Sequence, residues 1–234
     1  MDQVQVRWRS VPKPGETDTD NEDRCDHLGG RIAMADGASR TARPDIWAEL
    51  LVSSFVRDGN DPLDPVCLAA LRTQWLAAVS DDDLPWYATA KIAEGGAATF
   101  LAVETDIAHR RYHARGIGDT CLLHVRGGDV LIAGPLHRVE DFGRRPALVS
   151  TVPARDTFID HVWEHRASCE DGDALILATD AAAAYLLGAG AEVRQELVQT
   201  DLLTDTSEFA DWVDYARSVG GMAPDDTTVC VVML

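Results

Sequence analysis

The sequence predicts an α+β fold of mainly antiparallel sheets with helices packed outside them. Three observations carry this. Strand-like and helix-like blocks succeed one another as strand, helices, strands, helices, strand, without the regular alternation a parallel sheet needs. Gly127-Gly128 lies between two β-prone runs, the mark of a tight antiparallel hairpin. Of 234 residues, 46% are apolar, enough for a sizeable core, and no repeat, low-complexity tract or linker divides them. A single domain over residues 1–234 is expected.

Taken in order, Val4, Val6 and Trp8 alternate with polar residues and read as a half-buried first strand. A loop over 12–20, rich in Pro, Gly, Thr and Asp, leads to Asn21-Glu22-Asp23-Arg24. Leu28-Gly29-Gly30 then turns into the apolar run Ile32-Ala33-Met34-Ala35. Asp45 reads as the N-cap of a helix over 46–56, with Trp47, Leu50, Leu51, Phe55 and Val56 inward and Gly59 closing it. Residues 65–79 predict a second helix with Leu68, Leu71, Trp75, Leu76 and Val79 inward, and 86–93 a third, stopped by Gly95-Gly96. Strands follow over 97–104, 111–117, 121–125 and 130–132. Residues 134–156 are the least regular, holding Pro135, Pro146, Pro153 and the basic group Arg138, Arg144, Arg145 and Arg155; 158–165 suits strand or helix. Ala174 to Ala178 is again a buried strand, running to Asp180. Helices over 181–187, 191–203 and 207–218 and a last strand after Asp225-Asp226 complete the chain.

The formal charge of −18 repels phosphate backbones, so no nucleic-acid partner is expected. There is no apolar run of about 18 residues, hence no expected membrane span. Met1-Asp2-Gln3-Val4 has neither a basic nor an apolar leader region, which argues against secretion. Cys25, Cys67, Cys121, Cys169 and Cys230 are scattered and include no Cys-x-x-Cys pair, so a zinc site and a disulfide framework are not expected. The expectation is a cytoplasmic monomer with reduced thiols.

Acids at strand edges are the informative feature. Ile32 to Ala35 ends in Asp36-Gly37, and Ala174 to Ala178 ends in Thr179-Asp180. Glu22-Asp23 and Asp225-Asp226 border two other strands, and Asp119 lies in Gly116-Ile117-Gly118-Asp119-Thr120. Alone, Asp36-Gly37 is an ordinary strand-to-turn junction. If the strand ends converge, the acids cannot stay bare. Two like charges about 4 Å apart repel by roughly 4 kcal/mol at an effective dielectric near 20. Several such pairs would rival the about 5–15 kcal/mol that stabilises a whole domain. All-oxygen donors suit Mg2+ or Mn2+ rather than zinc.

In this order the residues resemble the metal-dependent protein phosphatases of the type-2C family. Asn21-Glu22-Asp23-Arg24, Ala35-Asp36-Gly37, Gly95-Gly96 with Thr99, Gly118-Asp119-Thr120, Leu177-Ala178-Thr179-Asp180 and Asp225-Asp226-Thr227-Thr228-Val229 all appear in sequence, across almost the whole chain. Ala35-Asp36-Gly37-Ala38-Ser39 and the later Ala178-Thr179-Asp180-Ala181-Ala182-Ala183 look like its bacterial branch. The resemblance implies a four-layer α-β-β-α sandwich with a two-metal site at one end and a third, more labile Mg2+ or Mn2+. It implies that Asp36 bridges both ions and that Glu22 and the Gly37 carbonyl serve one while Asp180 and Asp225 serve the other. Asp119 would serve the third ion, and Asp23 would hold the attacking water, making Asp36 and Asp23 the catalytic pair. The implied reaction is phosphoserine/phosphothreonine protein hydrolysis by direct attack of that water, with no covalent intermediate. The implied partner is a phosphoprotein marked by a Ser/Thr kinase.

The sequence departs from the family pattern at three places. Asp18 stands where members often carry a phosphate-binding Arg, Ala38 follows Asp-Gly where many have His, and Asp180-Ala181 replaces Asp-Gly. Arg24, Arg40 and Arg43 lie near the site in sequence and are candidates for the missing cation. The departure at Asp18 motivates an alternative, a non-catalytic phosphatase-like binding or regulatory protein. In the family an irregular insertion near 134–157 can act as a flap, so charge reversal at Arg144 and Arg145 is expected to alter peptide preference but not aryl phosphate turnover. His161-Val162-Trp163-Glu164-His165 matches the inverted zinc-peptidase pattern, which requires a helix.

Overall fold

A computed structural model describes residues 4–80, 86–143 and 145–234. One sheet holds, in spatial order, β1 (Gln5–Val11), β12 (Thr227–Met233), β11 (Asp173–Ala178), β7 (Cys121–Arg126) and β8 (Asp129–Gly134). The other holds β10 (Trp163–Ser168), β6 (Arg111–Ile117), β5 (Phe100–Asp106), β3 (Arg31–Ala35) and β2 (Arg24–Leu28). Every pairing is antiparallel. Helices α1 (Pro44–Val56) and α2 (Pro65–Val79) pack on the second sheet, and α4 (Asp180–Gly188), α5 (Ala191–Gln199) and α6 (Thr206–Ser218) on the first. These are the four layers, helix, sheet, sheet, helix. A short helix α3 (Trp86–Glu94) leads to a two-residue ribbon of β4 (Ala97–Ala98) with β9 (Val149–Ser150).

Burial on both faces explains the continuous apolar strands. In β3, Ile32 and Met34 enter the core between the sheets, while Ala33 and Ala35 face the helices. Strand β11 divides likewise, with Leu175 and Leu177 between the sheets and Ala174, Ile176 and Ala178 beneath α4 to α6. The expected core tryptophans Trp47 and Trp75 are both buried, and the Trp47 indole donates to the Val149 carbonyl at 2.8 Å.

Some local expectations are corrected. Asp45 is not the cap of α1: the helix begins at Pro44, and its N-cap is Arg43 in a left-handed conformation with no side-chain cap. Pro44 presets the first helical φ, and Asp45 pairs with Arg43 instead. Leu76 is 53% exposed, and α5 ends at Gln199 rather than 203. Residues 163–168 are strand, so Glu164 and His165 project from opposite faces; Glu164 pairs with His113, and the His165 ring stacks on Trp163. The zinc-peptidase pattern therefore lacks its helix. Within the irregular segment, Arg138 pairs with Asp141 and Arg155 donates to the Glu94 carbonyl, while Arg144 lies outside the described residues.

Register brings the acidic segments to one end. Ala178 pairs with Val229 and Cys121, Arg24 with Ala35, and Phe100 with Ile117. The end of β3, the start of β2, the β6–β7 turn, the end of β11 and the start of β12 thus share one edge of the sandwich.

Candidate active site

Asp36 leaves β3 pinned by Thr99, which lies between β4 and β5. Its carbonyl accepts from the Thr99 N–H at 2.9 Å, and its N–H donates to the Thr99 hydroxyl at 3.1 Å. That hydroxyl also meets the Thr120 hydroxyl at 2.6 Å, next to Asp119. Gly37 continues extended and bridges Ala98. Its requirement is space rather than a left-handed turn, because a Cβ there would lie 2.9 Å from both the Glu22 carbonyl and the Pro44 Cβ. This contact lets the 36–37 backbone approach the Glu22-Asp23 segment.

Asp23 is buried, and its Oδ2 accepts from the Thr228 hydroxyl at 2.7 Å while Oδ1 is enclosed with no hydrogen-bond partner within 3.5 Å among the described residues; the Thr179 hydroxyl is near enough to oppose the rise in its pKa. A chain of short contacts holds this corner. Asn21 accepts the Asp23 N–H at 2.8 Å and donates to Ser10 at 2.7 Å, and Ser10 meets Thr228 at 2.7 Å. Asp226 joins two loops by accepting the Lys13 N–H at 2.8 Å and the Glu22 N–H at 2.9 Å. Asp225 is exposed, and its backbone carbonyl accepts from the Arg217 guanidinium at 2.6 Å. The same guanidinium nitrogen reaches the Thr227 hydroxyl at 3.1 Å and the Pro12 carbonyl at 3.3 Å. Asp180 opens α4 and takes the Ala181 N–H at 2.5 Å.

The electrostatics show that these acids feel one another. Burial, then Asp23, Asp180, Asp119 and Asp225, push Asp36 well above the usual carboxylate range. Burial first, with Asp226 and Asp180 adding, raises Asp23 to about 8; burial with Asp180 and Asp225 raises Asp119 to about 7. Asp180 is raised by burial and Asp225, and Glu22 chiefly by burial. Such a set is unstable as bare charge and suits partners of opposite sign. Among the described residues no three His, Cys, Asp or Glu side chains already close into an ion cage.

The three arginines expected near the site differ in placement. Arg24 donates to the Asn21 and Asp23 carbonyls and pairs with Asp45 and Glu49. Arg43 is turned to Asp45, and Arg40 is exposed. A cation not singled out from the sequence, Lys13, has its ammonium 3.8 Å from the Glu22 carboxylate and 3.5 Å from the Ser39 hydroxyl. Ser39 in turn donates to Glu22. Asp226 and Thr228 were legible as part of the terminal acid motif, whereas Lys13, Ser10 and Arg217 carried no local signal.

No protein-family model and no curated protein matches this chain. Solved structures do. The serine/threonine phosphatase PstP/Ppp of Mycobacterium tuberculosis superposes with a TM-score of 0.66 at 17% identity, over 100% of this chain and 99% of that one. The chain has the type-2C phosphatase fold. Stp1 from Staphylococcus aureus gives 0.66 at 11% identity over 100% and 96% of the two chains. The catalytic domain of PstP in complex with two manganese ions gives 0.64 at 18% identity over 99% and 98%. The acids Glu22, Asp36, Asp119, Asp180 and Asp225 all lie at the loop-bearing edge of this sandwich.

Proposed function

We propose that this chain is a Mg2+/Mn2+-dependent phosphatase acting on phosphoserine and phosphothreonine in proteins. The observation that carries the reading is the acid cluster: burial first, and then neighbouring carboxylates from separate loops, raise the pKa of Asp23 and Asp36, and the buried Asp23 keeps one oxygen without a hydrogen-bond partner among the described residues. All donors are oxygens, which fits two hard divalent ions. Glu22, Asp36 and the Gly37 carbonyl would hold one ion and Asp36, Asp180 and Asp225 the other, with Asp119 available to a third. When bound, such ions supply a water of lowered pKa and offset charge on the transferring phosphoryl group. The protein's share is positioning. Thr99 fixes the Asp36 backbone, Thr228 orients Asp23 so that its free oxygen can hold a water proton, and Arg217 fixes the backbone beneath Asp225. PstP and Stp1 are serine/threonine phosphatases by name, which supports the substrate class.

The test is release of phosphate from an aryl phosphate and from a phosphopeptide, with and without Mn2+. Mn2+-dependent turnover of both, abolished by chelator, is expected. Turnover indifferent to chelator would refute the reading. Asp18, in place of a cation, favours a second reading as a non-catalytic phosphoprotein-binding relative. Calorimetry separates the two, since that relative would bind phosphopeptide or metal with no turnover.

A further inference from the structure

Seven carboxylates, Glu22, Asp23, Asp36, Asp119, Asp180, Asp225 and Asp226, share one end of the sandwich. Two divalent ions offset only part of their charge, and a phosphate monoester brings about two more negative charges at neutral pH. A fixed cation on the substrate side would offset part of that charge. Arg24 and Arg43 are engaged with acids of α1, and exposed Arg40 contacts no carboxylate of the set.

Lys13 differs in that the fold delivers it. Its N–H is held by Asp226, and the preceding Pro12 carbonyl accepts from Arg217, so the 12–13 backbone is clamped from two sides. Its ammonium lies 3.3 Å from Glu16, 3.8 Å from Glu22 and 3.5 Å from the Ser39 hydroxyl. A lysine is a compact, strongly hydrated point charge on a flexible stem, suited to phosphate.

Resting on the phosphatase reading above, the geometry points to Lys13 as the residue that holds the substrate phosphate. With a divalent ion on the Glu22 carboxylate, the ammonium would lose that partner and be free to meet a phosphate oxygen. Lys13 thus takes the role that Asp18 cannot perform.

The test titrates inorganic phosphate by calorimetry into Mg2+-saturated wild type, Lys13→Met, Lys13→Arg and Arg40→Met, each also titrated with Mg2+ and melted. Loss of one charge-assisted contact is expected to weaken phosphate binding by roughly tenfold or more in Lys13→Met. The KM for an aryl phosphate should rise while kcat changes less, and Lys13→Arg should retain most of the affinity. Unchanged phosphate affinity in Lys13→Met overturns the assignment. So does a change in Mg2+ affinity alone, which would make Lys13 only a counter-ion of Glu22. A loss confined to Arg40→Met would move the role to that residue. Wild type that binds Mg2+ and turns over aryl phosphate yet binds no phosphate overturns the assignment alone; wild type that binds no divalent ion removes the phosphatase reading and the assignment with it.

Discussion

Two aspartates border the same strand and behave in opposite ways. Asp173 begins β11 and is fully enclosed, yet its carboxyl is held well below the usual range by the Arg126 guanidinium, despite the opposing effect of burial. Arg126 bonds both oxygens at 2.6 and 3.0 Å, and His124 and the Glu170 N–H complete the shell at 3.0 and 2.8 Å. His124 is joined in turn to the Tyr112 hydroxyl at 3.2 Å. Asp180 follows the other end of the strand, has no cationic partner among the described residues, and is pushed up by burial and by Asp225. The lesson is that burial alone does not distinguish an acid answered within the fold from one left without a counter-charge. A satisfied acid completes its own charge balance; an unsatisfied group awaits something from outside.

Four experiments test this contrast, in order of decreasing effect. Asp36→Asn is expected to weaken Mn2+ binding at both positions by more than about 100-fold, beyond what outer-shell changes cause, and to abolish phosphate release. Its metal-free melting temperature should stay or rise, because one like charge leaves the cluster; a large fall would place Asp36 among the structural acids. Asp173→Asn should do the reverse. It strips the buried partner of Arg126 and His124, and a loss of about 2 kcal/mol in denaturant unfolding is expected, discounted because Arg126 is partly exposed, with Mn2+ affinity unchanged.

Arg217→Met should weaken Mn2+ binding by about tenfold, since the guanidinium holds the backbone of Asp225. Calorimetry against Asp173→Asn as a stability control checks this; a change in melting without a change in affinity would show a purely structural clamp. The smallest effect is in pH. Asp23 and Asp119 have folded pKa values raised to about 8 and about 7, so the stability they contribute is present below their unfolded values, about 3.9, and is lost as pH rises through 7 to 8. Asp173 is depressed, so its contribution is present above about 3.9 and is lost as pH falls through its folded value. Unfolding midpoints of the metal-free protein should therefore decline towards pH 8, and saturating Mn2+ should remove that decline. An unchanged slope with Mn2+ would separate the acids from the ion.

Much of this was legible from local pattern. Strand β6 and helix α2 match their expected ranges because a period of two or of 3.6 is set by nearest neighbours and needs no tertiary partner. The acids at strand edges were legible because a rigid apolar run followed by carboxylate and small residues is a local feature. The start of α1 was misread at Asp45, where Pro44 one residue earlier already fixed the helical φ. Leu76 fits the apolar stripe of α2 and is nevertheless exposed, since only the packed neighbours decide how wide a stripe is covered.

Element types, the apolar faces of the strands and the strand-edge carboxylates at Asp36 and Asp180 all follow from residues within a few positions of one another. Tertiary structure decided which acids are answered. Arg126 reaches Asp173 across 47 residues, Lys13 joins Asp226 across 213, and Arg217 grips Pro12 across 205. Two of those three contacts end on backbone atoms, which leave no residue type to recognise. Only the register of the two sheets places them, and register is set by the packing of the whole core.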